Sequence, residues 1–500
     1  MSVCNVSHFG KFSGFCQIAC QIACQIFSEN STRFDKTYTM WCILLLVTKS
    51  EICRMRTAFV RLSDRKIKVN KKDRRSMMID FKKIIGVTAA GAMLMGTVAC
   101  GNKTENKSSS SGDSVTDVTL TVWTPQEDQE KQDGQSESWL AAEEAAFEKA
   151  HKEYKITWKN ATVSEGDAGE QMKTDPSAGA DVFLFANDQL GTLIDSKAIA
   201  ELPDSSVEQI KKDNDEEMIE SVTGTDGNLY GIPFSGNTWF MYYNKAKISE
   251  DDAKSLDTML EKAKVSFPLN DSWYIPSFYI GAGATIFGEK GTDASAKVNL
   301  GDNAGDVTKY LVDLKNNSNF VLDDGASGLA GIKNGNVDVL FSGAWNAADV
   351  KAALGDNFGV AKLPTYTLNG KETQLKSFAG SKAVGYNPNS KNTKAASQFA
   401  AFLGSSDAQK DHYKLRNSSV IPASKSLVSS DSDLKSDPVV VAQNETIAQT
   451  SILQPTIAAM SSWWDPCETF GKNITSGVVT KENADSKTSE WQDLVNSSMN

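Results

Sequence analysis

Between residues 118 and 185 the spacing of apolar side chains switches from alternation to a helical period and back, and few architectures tolerate such a pattern. Val118-Thr-Leu-Thr-Val-Trp123 alternates as a strand with one buried face does, then turns at Pro125. From Glu137 to Lys152, Trp139, Leu140, Ala146, Phe147 and Ala150 recur at helical spacing among good helix formers. Tyr154 to Lys159 is strand-like again, and Asp181-Val-Phe-Leu-Phe185 is a short continuous apolar run, as a strand covered on both faces requires. Strand–helix–strand–helix–strand predicts βαβ units and a mostly parallel sheet. No glycine-rich phosphate loop follows the first strand, which removes dinucleotide binding from consideration.

The rhythm then restarts. Trp239–Tyr243 and Val337–Phe341 are predicted strands, with helices over Leu256–Lys264, Val307–Lys315 and Asn346–Leu354. Lys382–Tyr386 is a further strand, Lys394–Leu403 a helix, and after Ile421-Pro422 the chain is mostly helical. With no long linker between these sections, two α/β lobes sharing interleaved segments are expected, 118–235 with 365–420 and 236–364 with 421–500. Ligands of such sheets sit beyond the C-terminal ends of the strands, here in a cleft between lobes.

The first hundred residues belong to something else. Six of eight cysteines (Cys4, Cys16, Cys20, Cys24, Cys42, Cys53) lie before residue 77, with Cys100 and Cys467 beyond, so no disulfide is expected within the body. Sixteen of 52 Lys and Arg, but only 6 of 63 Asp and Glu, fall in residues 1–100, which leaves the remainder at −21. A body that acidic is repelled by nucleic acid and anionic lipid. Lys82-Lys83 precede an apolar run, Ile84–Ala99, of signal-peptide length and too short to span a bilayer comfortably. The run ends in Thr97-Val-Ala-Cys100, similar to a bacterial lipobox in which Cys100 takes the lipid, although Thr97 stands where leucine is usual. Asn102–Asp117, rich in Lys, Ser, Thr and Gly, suits a flexible tether. Residues 1–76 do not pattern as a domain. Met77 or Met78 is the expected true start, which makes 1–76 a non-native upstream extension, 77–99 the signal peptide and 100–117 the tether.

Over roughly 118–500 the chain resembles the extracellular solute-binding family that includes maltose-binding protein. The resemblance is carried by Asp181-Val-Phe-Leu-Phe-Ala-Asn-Asp188, by Leu229-Tyr-Gly-Ile-Pro-Phe234 with Tyr243-Asn244-Lys245, and by Phe341-Ser-Gly-Ala-Trp345. Leu363-Pro364, Ala379-Gly380, Ile421-Pro422-Ala423 and Met460-Ser-Ser-Trp-Trp464 follow in family order. It implies a two-lobed periplasmic-binding-protein-like fold, hinged, closing on a ligand and docking on the subunits of an ABC permease. It implies no cofactor and no metal, a lipid-anchored monomer at the outer face of a bacterial membrane, and a maltodextrin-type oligosaccharide as ligand. Carried over residue by residue, Trp345 is a stacking platform, Trp464 or Trp463 a second, and Phe185 a third aromatic, with Asp188 gripping hydroxyls. Trp123, Gln126, Glu127 and Asp128 occupy the loop that contributes polar contacts. Asn237 stands where maltose-binding members tend to have glutamate, and Trp273 and Tyr274 lie in a further aromatic segment.

The chemistry agrees with that set independently. A pyranose offers apolar C–H faces, which aromatic rings cover, and an equator of hydroxyls, which Asp, Glu, Asn and Gln bond. The body holds nine tryptophans, of which Trp139 and Trp158 fit core faces. Trp345 is the favoured platform because Gly343 lets backbone approach a ligand and the preceding predicted strand ends there. A secreted glycoside hydrolase, with Asp188 and Glu127 as its carboxylates, is the competing class, though no local motif pairs an acid with a nucleophile. Another oligosaccharide or small solute is the alternative ligand. His151 and His412 are expected on solvated helix faces, and Cys467 as inert packing.

Overall fold

The computed structural model describes residues 115–132 and 134–499; the predicted signal peptide, lipidation cysteine and upstream extension lie outside them. The first strand, β1 (Thr116–Thr124), buries Val118, Leu120 and Val122 and leaves Thr119 exposed between them. β2 (Tyr154–Thr162) pairs with it in parallel over its whole length. β3 (Val182–Ala186) is buried at every position, as its apolar run required. Helix α1 (Trp139–Ala150) crosses between β1 and β2, capped by the Ser138 hydroxyl, which accepts from the Ala141 N–H at 3.3 Å.

β4 (Ile232–Asn237) leads out of this lobe into β5 (Phe240–Asn244), followed by β6 (Val265–Phe267), β7 (Phe320–Leu322), β8 (Val339–Ser342) and β9 (Phe358–Ala361). β5 to β9 form the second sheet in the order β9-β5-β8-β6-β7. The long β10 (Ser377–Tyr386) returns to the first sheet, and β11 (Ser451–Leu453) pairs with its beginning. The first sheet therefore runs β11-β10-β3-β1-β2, with β4 also on β10. Both sheets are mixed: the first keeps the expected parallel pairing of β1 with β2 and with β3, and the second pairs β6 in parallel with β7 and β8. β10 runs antiparallel to both β3 and β4, and β5 antiparallel to both β8 and β9. The reason is connectivity: strands that re-enter a sheet from the other lobe are not bound to the one direction that βαβ crossovers impose. Pro233 is tolerated in β4 because the pairing with β10 slips beside it, between Lys382 and Ala383.

Each sheet has its own core. Leu120, Trp139, Phe147, Phe183, Phe185 and Phe399 fill the first, and Trp239, Phe267, Phe278, Phe341, Trp463 and Trp491 the second. Strand alternation splits β5 between two clusters. Met241 and Tyr243 face the second core, whereas Phe240 and Tyr242 face a smaller one with Ile421, Leu434 and Val440. The hairpin formed by Thr365–Leu368 and Lys371–Gln374, expected with the first lobe, packs on the second: the Tyr366 hydroxyl donates to the Phe278 carbonyl at 2.8 Å.

Three crossing segments lie side by side at the junction. The Thr238 hydroxyl donates to the Phe378 carbonyl at 2.8 Å, and the Gly236 N–H donates to the Ile421 carbonyl at 3.0 Å. Two cores joined through a few hydrogen-bonded strands is the geometry of a hinge. Among the described residues no helix is long and apolar enough to cross a membrane, and no cluster of His, Cys, Asp or Glu is disposed to hold a metal ion.

Candidate functional site

Several strands stop at one place. The ends of β1, β2, β4 and β8 deliver Glu127, Glu165, Asn237 and Trp345 to a cavity of about 320 Å³ that takes its lining from both lobes and the hinge. Lys382 from β10, Arg416 and Gln443 complete its polar wall. A cavity beyond the C-terminal ends of strands and between two cores is where α/β sheets place ligands. A larger space of about 730 Å³, whose lining includes Tyr243, Phe358, Lys254 and Glu445, lies on the second lobe alone and takes no wall from the first.

Trp345 is 44 % exposed, an uncommon state for the largest apolar side chain. It occupies a single helical turn, Ala344–Asn346, immediately after β8. Gly343 serves the indole rather than the ligand: a Cβ there would lie 2.0 Å from the ring of Trp345, so the glycine is the seat on which the ring lies back. The half-buried Trp273 stands beside it, ring centroids 6.1 Å apart and planes inclined by 31°. The Trp273 indole donates to Gln454 Oε1 at 2.8 Å, which orients the ring.

The remaining expected contacts divide. Glu127 and Asn237 line the cavity, the first exposed and the second half-buried. Gln126 is exposed and donates to Glu130 Oε1 at 2.5 Å, and the half-buried Trp123 packs on the first core. Asp188 follows β3, half-buried, and accepts from Gln189 Nε2 at 2.9 Å. Burial pushes its carboxyl up to about 6. Trp464, half-buried at the start of the helix Trp464–Thr475, meets Phe378 edge-on at 6.3 Å.

Four residues are instead interior. Phe185 is fully buried in β3, its ring against Phe183, because a strand covered on both faces leaves no side chain free. Trp463 is fully buried on Trp491, ring centroids 5.5 Å apart, so of the tryptophan pair only Trp464 keeps open surface. Tyr274, 8 % exposed, stacks on Trp239 at 4.7 Å, and burial raises its hydroxyl well above the ordinary value. Asp128 has no exposed surface: it accepts from His412 Nε2 at 2.9 Å and pairs with the Arg416 guanidinium. Burial alone would raise its pKa, but His412 and Arg416 outweigh that and hold the carboxyl below the usual range. His412 is correspondingly no surface residue, with Trp139 at 4.3 Å and Phe234 at 5.1 Å. Asp128 thus props Arg416, which reaches the cavity in its place.

Sequence reasoning missed Glu165, Lys382, Arg416, Gln443 and Ser235. Lys382 Nζ pairs with Glu165 Oε1 at 2.9 Å, their side chains 29 % and 11 % exposed. A lysine inside the otherwise small and apolar Phe378–Tyr386 was the available signal. The Ser235 hydroxyl, buried in the cavity wall, has no hydrogen-bond partner among the described residues. For glycoside hydrolysis the arrangement is poorly matched. Asp188, whose pKa would suit an acid, is not in the wall that Glu127 and Glu165 share, and Glu165 is held by a lysine. Cys467 is fully buried, with its thiol raised far above the ordinary value, and is chemically quiet.

Comparison with known proteins agrees with this geometry. A family model described as bacterial extracellular solute-binding protein matches residues 144–442, more than half of the chain. The galactooligosaccharide-binding protein of Bacillus subtilis (strain 168) is 27% identical over 416 residues, covering 79% of this chain and 92% of its own. The maltooligosaccharide ABC transporter solute-binding lipoprotein of Streptococcus pneumoniae (strain ATCC BAA-255 / R6) is 28% identical over 422 residues, with the same two coverages, 79% and 92%. A solved structure described as being with acarbose is 46% identical, with a TM-score of 0.72, covering 77% of this chain and all of that one.

Proposed function

The chain belongs to the bacterial extracellular solute-binding proteins, and from that premise we propose that it captures an oligosaccharide of maltodextrin type and hands it to an ABC importer. The observation that carries the reading is Trp345, 44 % exposed in an interlobe cavity with Trp273 at 6.1 Å and inclined by 31°. Keeping so much indole in water is unfavourable unless another apolar face covers it part of the time, and the C–H face of a pyranose does so. Around the rings stand the groups a hydroxyl equator needs: Glu127, Glu165, Asn237, Gln443, Lys382 and Arg416. Trp464 and Asp188 are proposed as outlying contacts on either side, and Trp123 and Gln126 as contributors only if the lobes move against each other. The names borne by the relatives support a sugar ligand, and acarbose is itself built of α-linked sugar-like rings.

Lipid attachment at Cys100 anchors the body outside the membrane in this proposal, with the tether ending at Val115, since the expected tether residues Thr116 and Asp117 belong to β1. The protein acts as a monomeric receptor and does not transform its ligand. Calorimetric titration of the purified protein with maltotriose, maltohexaose and a galacto-oligosaccharide tests this directly. We expect a dissociation constant of about a micromolar for a maltodextrin, on the order of −8 kcal/mol, with the sugar recovered intact by chromatography. Release of shorter sugars would return the hydrolase, and tighter binding of the galacto-oligosaccharide would reassign the ligand.

A further inference from the structure

Between β11 and the helical turn at Ala458–Ser462 the chain runs through Gln454 along the base of the hinge. Gln454 is 3 % exposed and bonds to three separate parts of the molecule. Its N–H donates to the Ala379 carbonyl in β10 at 2.8 Å. Its carbonyl accepts from Asn187 Nδ2 of the first lobe at 3.0 Å. Its side-chain Oε1 accepts the indole proton of Trp273, in the second lobe, at 2.8 Å.

The partner in the first lobe has no room to shift independently. Asn187 is fully buried between β3 and Asp188, and it presses on Gly380, where a Cβ would lie 2.3 Å from Asn187 Oδ1. That oxygen has no bond among the described residues, a cost tolerated for the sake of where the amide nitrogen points. An indole N–H bonded to a buried carboxamide cannot swing without stranding both groups, so the inclination of Trp273 against Trp345 is set from the hinge.

We propose that Gln454 is a positioning residue for ligand binding: it preforms the two-ring platform and registers that platform against the first lobe through Asn187. The proposal rests on the reading of the cleft as an oligosaccharide site. Its physical content is preorganisation, since a ring already held in place loses little freedom when the sugar arrives. It also explains why Trp273 remains half-buried beside an open cavity instead of collapsing into the core with Tyr274.

The test uses the full protein and calorimetry with maltotriose and maltohexaose, together with melting temperature. Gln454→Leu removes the acceptor at constant bulk, and roughly a tenfold loss of affinity is expected. Gln454→Glu restores an acceptor oxygen at the same place and should recover most of that loss. In a Trp273→Phe background, which has no indole proton to give, Gln454→Leu should cost almost nothing further. An equal loss in both backgrounds, or a Glu variant as weak as the Leu variant, overturns the proposal, because a space-filling role predicts both. Should Gln454→Leu fail to fold, Trp273→Phe carries the test alone, and wild-type affinity in that variant overturns it. If the unaltered protein binds neither sugar, the functional reading itself has failed and takes this proposal with it, whereas normal wild-type binding with an indifferent Gln454→Leu defeats the proposal only.

Discussion

At the scale of single residues, neighbours in sequence part company according to what lies behind them. Glu127 is exposed in the cavity wall and Asp128 has no surface at all; Trp464 keeps an open face and Trp463 has none. Both pairs sit at the start of a helix, where consecutive side chains point about 100° apart, so one faces out and the other in. Residue type could nominate both members of each pair and had no means of choosing between them. Trp345 is the position on which most depends. Trp345→Ala should cost about 2 kcal/mol of binding, roughly a thirtyfold loss of affinity, with the melting temperature nearly unchanged, because the ring is 44 % exposed. Calorimetry and thermal unfolding of the same variant decide the matter. A core tryptophan would instead lose about 3–5 kcal/mol of stability on truncation, and that outcome would remove Trp345 from the ligand platform.

Elements meet across long stretches of chain, and one such meeting makes a pH-dependent prediction. Helix α1 lies near the helix Ser406–Leu415, and Glu143, 4 % exposed on α1, has its carboxyl raised to about 7 by burial first and by Asp411 and Asp407 second. Its unfolded value is near the usual 4.5, so below that pH both states hold the proton and nothing is lost. Between 4.5 and 7 the unfolded chain ionises while the folded one does not, and stability falls as pH rises. Glu143→Gln should therefore stabilise the protein by about 2 kcal/mol at pH 8 and by far less at pH 4. Urea unfolding at the two pH values measures it, and a gain independent of pH would show that the carboxyl's charge is not the cause. β10 illustrates the same point about legibility. It was expected from Lys382, yet it begins at Ser377, because Ser377–Ala379 pair with β11, a partner far along the chain that no local pattern announces.

For the whole molecule, the decisive feature is two separate cores joined by hydrogen-bonded crossing segments. A ligand held by Glu127 and Glu165 from one lobe and Trp345 from the other binds only the native arrangement of both. At a hundred times its dissociation constant such a ligand adds about 2.7 kcal/mol, which for a body of this size raises the melting temperature by about 3 °C. Differential scanning calorimetry should show that rise in a single shifted transition. A ligand that lifted only part of a split transition would be bound by one lobe alone, contrary to the interlobe site.

By itself the sequence determined the α/β class, the sites of most strands and helices, and the kind of side chains that serve a sugar, because these follow from periodicity and residue chemistry within a few neighbours. Trp345 after its strand and Glu127 after β1 were legible for that reason. Only the tertiary structure decided the strand directions, the side of the hinge on which residues 365–375 pack, and which polar groups face the cavity. Asp128 is turned inward by His412 and Arg416, and Glu165 is steered by Lys382. Trp273 is aimed by Gln454. Each of those partners lies more than 150 residues away in the chain. Burial and ion pairing are properties of what folds against a residue, and local pattern carries no record of it.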